Sequence, residues 1–87
     1  MVKKEVVVNS ENGIHARPAS EIAKLATQYK CDIYILVDGK NINAKSPLMI
    51  MSAGIKGNSV LEIQCDGENE EEALNKLIEL FETNFGK

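Results

Sequence analysis

Residues 33–43 read Ile33-Tyr34-Ile35-Leu36-Val37-Asp38-Gly39-Lys40-Asn41-Ile42-Asn43. The first five are β-branched, aromatic or aliphatic, which is typical of a strand. The Asp38-Gly39 dipeptide predicts a type I′ turn, because both central residues of that turn need a positive φ. Such a turn joins antiparallel strands, so this segment predicts a β-hairpin with strands at 33–37 and 40–43.

Two further strands are predicted, one on each side of the hairpin. Residues 4–8 form a short segment rich in β-branched valine, and a polar loop follows over residues 9–13. Residues 60–65 alternate between apolar and polar side chains, which places Leu61, Ile63 and Cys65 on one face. Apolar side chains on a single face indicate a sheet that is covered on one side only.

Three helices are predicted between and after the strands. The first begins at Ala16, with Pro18 in its first turn, where the missing N–H would have had no intrahelical acceptor. Ser46-Pro47 suits the N-cap and first position of a short helix that ends at Gly54. The last helix has Asn69 at its N-cap, three glutamates in its first turn, and Gly86 at its end. The apolar stripe of the first helix is formed by Ala19, Ile22, Ala23, Ala26 and Tyr29.

The element order β-α-β-β-α-β-α predicts an α+β open-faced sandwich, in which three helices cover one face of a four-stranded antiparallel sheet. The chain has 87 residues, 44% of them hydrophobic and 26% charged. This length suits one domain, and this composition suits a folded chain. We therefore expect a single domain over residues 1–87.

Composition and charge exclude several functional classes. The net charge of −3 disfavours contact with phosphate backbones, so we expect no nucleic-acid partner. No apolar run has the roughly 18 residues of a membrane span, and the N-terminus lacks a secretory signal, which predicts a cytoplasmic protein without membrane insertion. One histidine and two cysteines, Cys31 and Cys65, cannot form a zinc site. We expect buried, reduced thiols, no metal and no cofactor.

The only histidine, His15, lies where a loop becomes a helix, between Gly13-Ile14 and Ala16-Arg17-Pro18. The first N–H groups of a helix have no intrahelical partner and carry the positive end of the dipole, so they favour an anion. Arg17 adds a planar cation that suits phosphate oxygens. A neutral imidazole is a nucleophile near pH 7. This placement suits a histidine that accepts and passes on a phosphoryl group, although a histidine before a helix, taken alone, is more often an N-cap or a surface residue.

The segment Gly13-Ile14-His15-Ala16-Arg17-Pro18-Ala19 resembles the active-site segment of the phosphocarrier HPr family. The resemblance extends over essentially the whole chain and includes the Asp38-Gly39 hairpin, Asn43-Ala44-Lys45-Ser46 and Met51-Ser52. It implies a cytoplasmic, stoichiometric carrier in the phosphoenolpyruvate-dependent sugar phosphotransferase system. Such a carrier takes phosphate from enzyme I and gives it to sugar-specific IIA domains.

The resemblance also implies a role for individual residues. His15 would carry the phosphate on Nδ1, Arg17 would be its charge partner, and Pro18 would shape the helix start. The positions that match the partner-docking surface are Ile14, Ala16, Ser20, Leu48 and Met51, with Lys24 and Lys45 as basic neighbours. The plain alternative for Leu48 and Met51 is that they belong to the core, because apolar residues on a short helix usually do unless an exposed patch marks an interface.

Ser46 resembles the serine that HPr kinase/phosphorylase modifies in Gram-positive relatives. A phosphate at a helix N-cap would meet unpaired N–H groups and would add charge to the docking surface. The plain alternative is an ordinary N-cap. Pro47 and Met49 depart from the regulatory pattern, which has isoleucine or leucine and then glycine at these positions.

Two other functions remain open at this stage. The chain could be an HPr paralogue that acts mainly as a regulatory binding partner in carbon or nitrogen control, for example of a catabolite-control transcription factor. The segment Gly54-Ile55-Lys56-Gly57 also matches the glycine pattern of a KH loop. The negative charge and the 5% of aromatic residues argue against nucleic-acid binding.

Overall fold

The computed structural model describes residues 1–9 and 13–85 of the chain. Its elements follow the predicted order β-α-β-β-α-β-α. They are β1 (Val2–Val7), α1 (Ala16–Ala26), β2 (Asp32–Val37), β3 (Lys40–Asn43), α2 (Pro47–Ser52), β4 (Val60–Asp66) and α3 (Glu70–Glu82).

The four strands form one sheet in the order β1-β4-β2-β3, and every neighbouring pair is antiparallel. β4 is therefore central, with β1 on one side and β2 on the other. The register sets Val6 opposite Leu61 and Ile35 opposite Ile63, so the apolar residues of neighbouring strands share a face. The predicted α+β open-faced sandwich is confirmed.

The turn between β2 and β3 has the predicted conformation. Asp38 has φ of 50° and Gly39 has φ of 75°, so both central residues lie in the left-handed region that a type I′ turn requires. Val37 pairs with Lys40 directly beside the turn. The dipeptide fixes the hairpin register, and this places Ile35 and Ile42 opposite each other on the buried face.

The core lies between the sheet and the helices. It draws on alternate residues of β2 and β4 and on one stripe of each long helix. Phe81 of α3 is almost fully buried, and its ring packs edge-on against Phe85 at a centroid distance of 5.0 Å. The larger fully buried side chains are Phe81, Ile22, Ile33, Ile35, Ile50, Leu61, Ile63 and Leu77.

The structure corrects the predicted bounds of β1 and α1. β1 covers Val2–Val7 rather than residues 4–8, because Val8 leaves the sheet and exchanges backbone hydrogen bonds with the loop that precedes β4. Tyr29 is not on the stripe of α1, because that helix ends at Ala26 and the Tyr29 N–H donates to the Ala26 carbonyl in a turn.

Asn69 occupies the predicted N-cap of α3, but its side chain makes no capping bond. Its backbone is left-handed, with φ of 58°, which carries the side chain away from the helix amides. The side-chain hydrogen bond at this helix start comes from the next residue: Glu70 Oε1 accepts a 2.9 Å hydrogen bond from the Gly67 N–H. The predicted end at Gly86 lies outside the described residues, within which the helix ends at Glu82.

Both cysteines are buried and unpaired, as predicted. Burial raises the pKa of the Cys65 thiol to about 12 and also raises the pKa of Cys31. Such thiols are almost entirely protonated near neutral pH, which makes them poor nucleophiles. Among the described residues, no helix has the length and apolar character needed to cross a membrane.

Candidate functional site

His15 is the N-cap residue of α1 and has an extended backbone, with φ of −104° and ψ of −162°. Its side chain is exposed and makes no capping hydrogen bond to the helix. The imidazole is therefore not used to complete the helix terminus, in contrast to the usual polar N-cap side chain. It is presented to solvent, where a second protein can reach it.

The residues around His15 hold it in place from both sides. Ile14 is only 5% exposed, and Pro18 and Ala19 are also buried. The Ala19 N–H donates a 3.0 Å hydrogen bond to the His15 carbonyl, which starts the ladder of α1. Buried side chains before His15 and later in the first turn of α1 leave its backbone little freedom, so the imidazole projects from a fixed position.

The loop between α2 and β4 supports the His15 segment. The Ile14 N–H donates to the Ile55 carbonyl at 3.0 Å, and Ile55 is itself only 5% exposed. On the other side of the segment, Val8 exchanges 2.9 Å hydrogen bonds with Ser59 and Asn58. Sequence reasoning missed this support, because the sequence predicts residue 8 as part of the first strand and residue 55 belongs to no periodic element.

The electrostatics of the site favour an anion. Arg17 is exposed at the second helical position, and the first turn of α1 contains no acidic residue. Within residues 1–9 and 13–85, the Arg17 guanidinium forms no salt bridge. The amides of Ala16 and Arg17 point out of the helix start, and Pro18 contributes no N–H. A group with negatively charged oxygens beside His15 would meet amide donors and a cation.

Helix α2 has the predicted start. Ser46 is its N-cap, and Ser46 Oγ accepts a 3.3 Å hydrogen bond from the Met49 N–H. Pro47 is the first helical residue, and Gly54, with φ of 63°, follows the helix end. The Ser46 hydroxyl is thus a structural cap, and the residue itself is half-buried.

The apolar side chains of α2 are divided between the core and the surface. Ile50 is fully buried, whereas Leu48 is 69% exposed, Met49 46% and Met51 38%. The alternative that Leu48 and Met51 belong to the core is therefore wrong. These three exposed side chains form the apolar surface of α2, and Leu48 and Met49 also line a groove with Lys40, Asn41 and Ile42 of β3. We call Leu48, Met49 and Met51 the α2 patch.

The other residues that match the docking surface have different positions. Ala16, Ser20 and Lys24 are exposed along α1. Ile14 is not part of an exposed surface, because its side chain lies in the core. This is a correction to the sequence expectation, and it assigns Ile14 a supporting position beneath His15.

Lys45 is also placed differently from expectation. Its Nζ donates a 2.7 Å hydrogen bond to the carbonyl oxygen of Tyr29, three residues beyond the end of α1. Helix α1 has 11 residues, or about 16 Å of length, and His15 is at its other end. Lys45 is thus remote from the imidazole, and its ammonium group is bound to the backbone.

The Gly54–Gly57 segment, which matches the glycine pattern of a KH loop, is part of the support beneath His15. Its Ile55 side chain is buried and its Ile55 carbonyl is bonded to Ile14. The described residues contain no group of three or more His, Cys, Asp or Glu side chains arranged to hold a metal ion.

Comparisons with known proteins agree with this geometry. The sequence model of the family PTS-HPr, described as the PTS HPr component phosphorylation site, matches residues 2–83. Phosphocarrier protein HPr of Borreliella burgdorferi is 40% identical over 83 residues, which are 95% of this chain and 96% of that protein.

Two solved structures show the same fold. An HPr structure from Thermoanaerobacter tengcongensis has a TM-score of 0.95 at 34% identity, covering 100% of this chain and 98% of that one. The Bacillus subtilis catabolite repression containing protein Crh has a TM-score of 0.71 at 36% identity, covering 88% of each chain.

Proposed function

The chain belongs to the PTS-HPr family, and from this membership we propose that residues 1–87 act as a single-domain phosphocarrier. It would accept a phosphoryl group from phospho-enzyme I on His15 and pass it to the IIA domains of sugar permeases. The observation that carries the proposal is the exposed imidazole of the only histidine, held at the start of α1 by the buried Ile14 before it and the buried Pro18 and Ala19 in the turn after it.

The transfer needs only groups that this chain has. The lone pair of Nδ1 of a neutral His15 attacks phosphorus, and the bond between phosphorus and the donor breaks, with its electron pair leaving on the donor. The same bond exchange in reverse delivers the group to the next protein. His15 is phosphorylated in the first step and regenerated in the second, so the chain acts as a stoichiometric carrier.

Arg17 and the start of α1 would stabilise the phosphoryl oxygens. The guanidinium is exposed and free of salt bridges to described residues, so it can turn toward the phosphate without losing another ionic partner. Pro18 sets the first turn while leaving only the amides of Ala16 and Arg17 to face the anion.

We propose that partners dock on the α2 patch together with Ala16, Ser20 and Lys24 of α1. An exposed apolar cluster on a small protein marks an interaction surface, and Lys24 gives this surface a basic edge. Ile14 and Lys45 would contribute by holding the surface in shape. Such a site suits transient contact with enzyme I and IIA domains in the cytoplasm.

The test is the intact mass of the protein after incubation with phosphoenolpyruvate, magnesium and catalytic enzyme I. We expect one acid-labile phosphate on the wild type and none on His15→Ala, whose fold is checked by circular dichroism. The enzyme I preparation must phosphorylate another HPr in parallel. Absence of an adduct on the wild type under these conditions would reject the carrier function.

A second candidate is that the chain serves mainly as a regulatory partner. Its structural likeness to Crh, a catabolite repression protein by name, favours this function, and Ser46 is its candidate modification site. HPr kinase/phosphorylase would modify Ser46, and a catabolite-control transcription factor would bind the product. Binding of such a regulator that survives His15→Ala and requires Ser46 phosphorylation would support this function. Equal affinity in every phosphorylation state would reject it.

A further inference from the structure

We propose that Gly13 is a positioning residue for His15: only a residue without a Cβ lets the loop close on the Ile55 carbonyl and hold the imidazole for transfer. The inference rests on the proposed carrier function, since it concerns the same imidazole. Gly13 is two residues before His15 and touches no reacting atom, so its effect would be transmitted through the backbone.

The first observation is the space around Gly13. Its φ is +68°, a conformation that L side chains rarely adopt. A methyl group on its Cα would overlap the Ile55 carbonyl oxygen and would lie 2.9 Å from the Lys56 Cα and 3.0 Å from the Gly57 nitrogen. All three are backbone atoms, so no side chain can rotate away to make room.

The second observation is what this close approach permits. The next residue, Ile14, donates its N–H to the same Ile55 carbonyl at 3.0 Å and buries its side chain in the core. A Cβ at position 13 would have to move the two backbones apart by more than 1 Å before it reached ordinary van der Waals distance. The Ile14 hydrogen bond and the His15 backbone would move with the loop.

A displacement of this size matters for group transfer between two proteins. The attacking nitrogen must approach phosphorus in line while both proteins are docked, and a misplacement of about 1 Å can reduce the rate about 100-fold. The imidazole itself would remain exposed and chemically competent. We therefore expect a loss of transfer from enzyme I without a loss of intrinsic nucleophilicity.

The chain provides a matched control in Gly39. Its φ of +75° is nearly the same as that of Gly13, but a methyl group there would meet no atom within 4 Å. Gly39→Ala therefore carries the same backbone strain without the overlap. It lies in the hairpin turn and belongs to no part of the proposed site.

The experiment compares the wild type, Gly13→Ala and Gly39→Ala at a temperature where circular dichroism shows each to be folded. With enzyme I, we expect kcat/KM for Gly13→Ala to fall about 100-fold, and that for Gly39→Ala to stay within about twofold. With phosphoramidate, a small phosphoryl donor that needs no docking, all three should be labelled on His15 at similar rates. The His15 ring resonances should shift in Gly13→Ala alone.

Equal kcat/KM values for folded Gly13→Ala and the wild type would overturn the inference, as would an equal loss in Gly39→Ala. If Gly13→Ala does not fold, hydrogen exchange of the wild type tests the inference instead. A closed loop keeps the Ile14 amide bonded to the Ile55 carbonyl, so this amide must exchange slowly. A freely exchanging Ile14 amide would overturn the proposal. Failure of the carrier function is distinguishable from failure of this inference. In that case enzyme I would leave even the wild type unlabelled, whereas the shift of the His15 ring resonances and the protection of the Ile14 amide would still report the positioning.

Discussion

Lys45 Nζ donates a 2.7 Å hydrogen bond to the carbonyl oxygen of Tyr29, a residue 16 positions earlier in the chain. The bond connects the segment before α2 with the segment after α1. Carbonyls near the C-terminal end of a helix lack intrahelical donors and carry the negative end of the helix dipole. A cation placed close to this end therefore interacts favourably with the helix. Lys45 is thus a structural residue at the junction of two helices.

The first prediction concerns this junction. Lys45→Met keeps much of the aliphatic stem but removes the donor, and we expect it to lower the free energy of unfolding by about 1.5–3 kcal/mol, the range for a hydrogen bond to a charged group. Urea denaturation measures the change. Lys30→Met, at an exposed lysine, is the control and should remain within about 0.5 kcal/mol of the wild type. If Lys45→Met were as stable as the wild type but slower in phosphoryl transfer, Lys45 would instead be a contact residue for the docked partner.

The second prediction separates the two faces of α2. Leu48→Ser should change the free energy of unfolding by less than about 0.5 kcal/mol, because Leu48 is largely exposed, yet raise the KM for enzyme I. Ile50→Ala should cost about 2–5 kcal/mol through the cavity it leaves. Denaturation and transfer kinetics are measured on both variants. An unchanged KM in Leu48→Ser would remove this residue from the docking surface.

The third prediction concerns Arg17. Arg17→Ala removes the cation beside His15, and we expect phosphoryl transfer to slow by about tenfold while the free energy of unfolding stays within about 0.5 kcal/mol. Arg17→Lys should recover part of the rate, because lysine keeps the charge but not the planar fork. Stopped-flow or quenched transfer from phospho-enzyme I gives the rates. Full activity in Arg17→Ala would exclude Arg17 as the charge partner.

The fourth prediction is a pH dependence at the start of α3. The Gly67 N–H holds the pKa of the Glu70 carboxyl below its usual value of 4.5, and the N-terminal ammonium group, 3.2 Å from Glu70 Oε2, acts in the same direction. A lowered folded-state pKa means that Glu70 stabilises the protein above its unfolded-state pKa. That stabilisation is lost as the pH falls through the lower folded-state value.

Thermal melting of Glu70→Gln therefore should show a lower Tm than the wild type near pH 7, and the difference should disappear once the pH falls below the lowered folded-state pKa. Glutamine keeps an acceptor for the Gly67 N–H, so the comparison isolates the charge. Glu71→Gln, in the same first turn, is the control for the helix dipole and should show a smaller difference. A difference in Tm that persisted at acid pH would contradict the assignment.

The features that sequence predicted well are those with local causes. Asp38-Gly39 accepts the backbone conformation of a type I′ turn, and Ser46-Pro47 suits a helix start, so both are visible in neighbouring residues alone. The alternation in β4 predicted its buried face correctly for the same reason. The histidine at the start of α1 could also be placed from its local surroundings.

The features that sequence did not predict depend on contacts between distant segments. Helix α2 has six residues, too few for a periodic stripe, so nothing local shows that Ile50 is its buried side chain and Leu48 an exposed one. The backbone of Ile14 is held by a hydrogen bond to the carbonyl of Ile55, 41 positions later. Asn69 has the composition of an N-cap, but the turn that precedes α3 gives it a left-handed backbone.

The order of the strands has a consequence for how the chain acquires its structure during synthesis. β1 pairs with β4, and the paired residues are 53 to 63 positions apart in the chain. Pairing over such separations must overcome a large loop-closure entropy, which slows folding compared with proteins of local topology. A nascent chain can form the hairpin early, but β1 has no partner until the ribosome has released β4. β1 therefore stays unpaired for most of translation. Premature termination before residue 60 leaves a chain without β4, the strand that lies between β1 and β2.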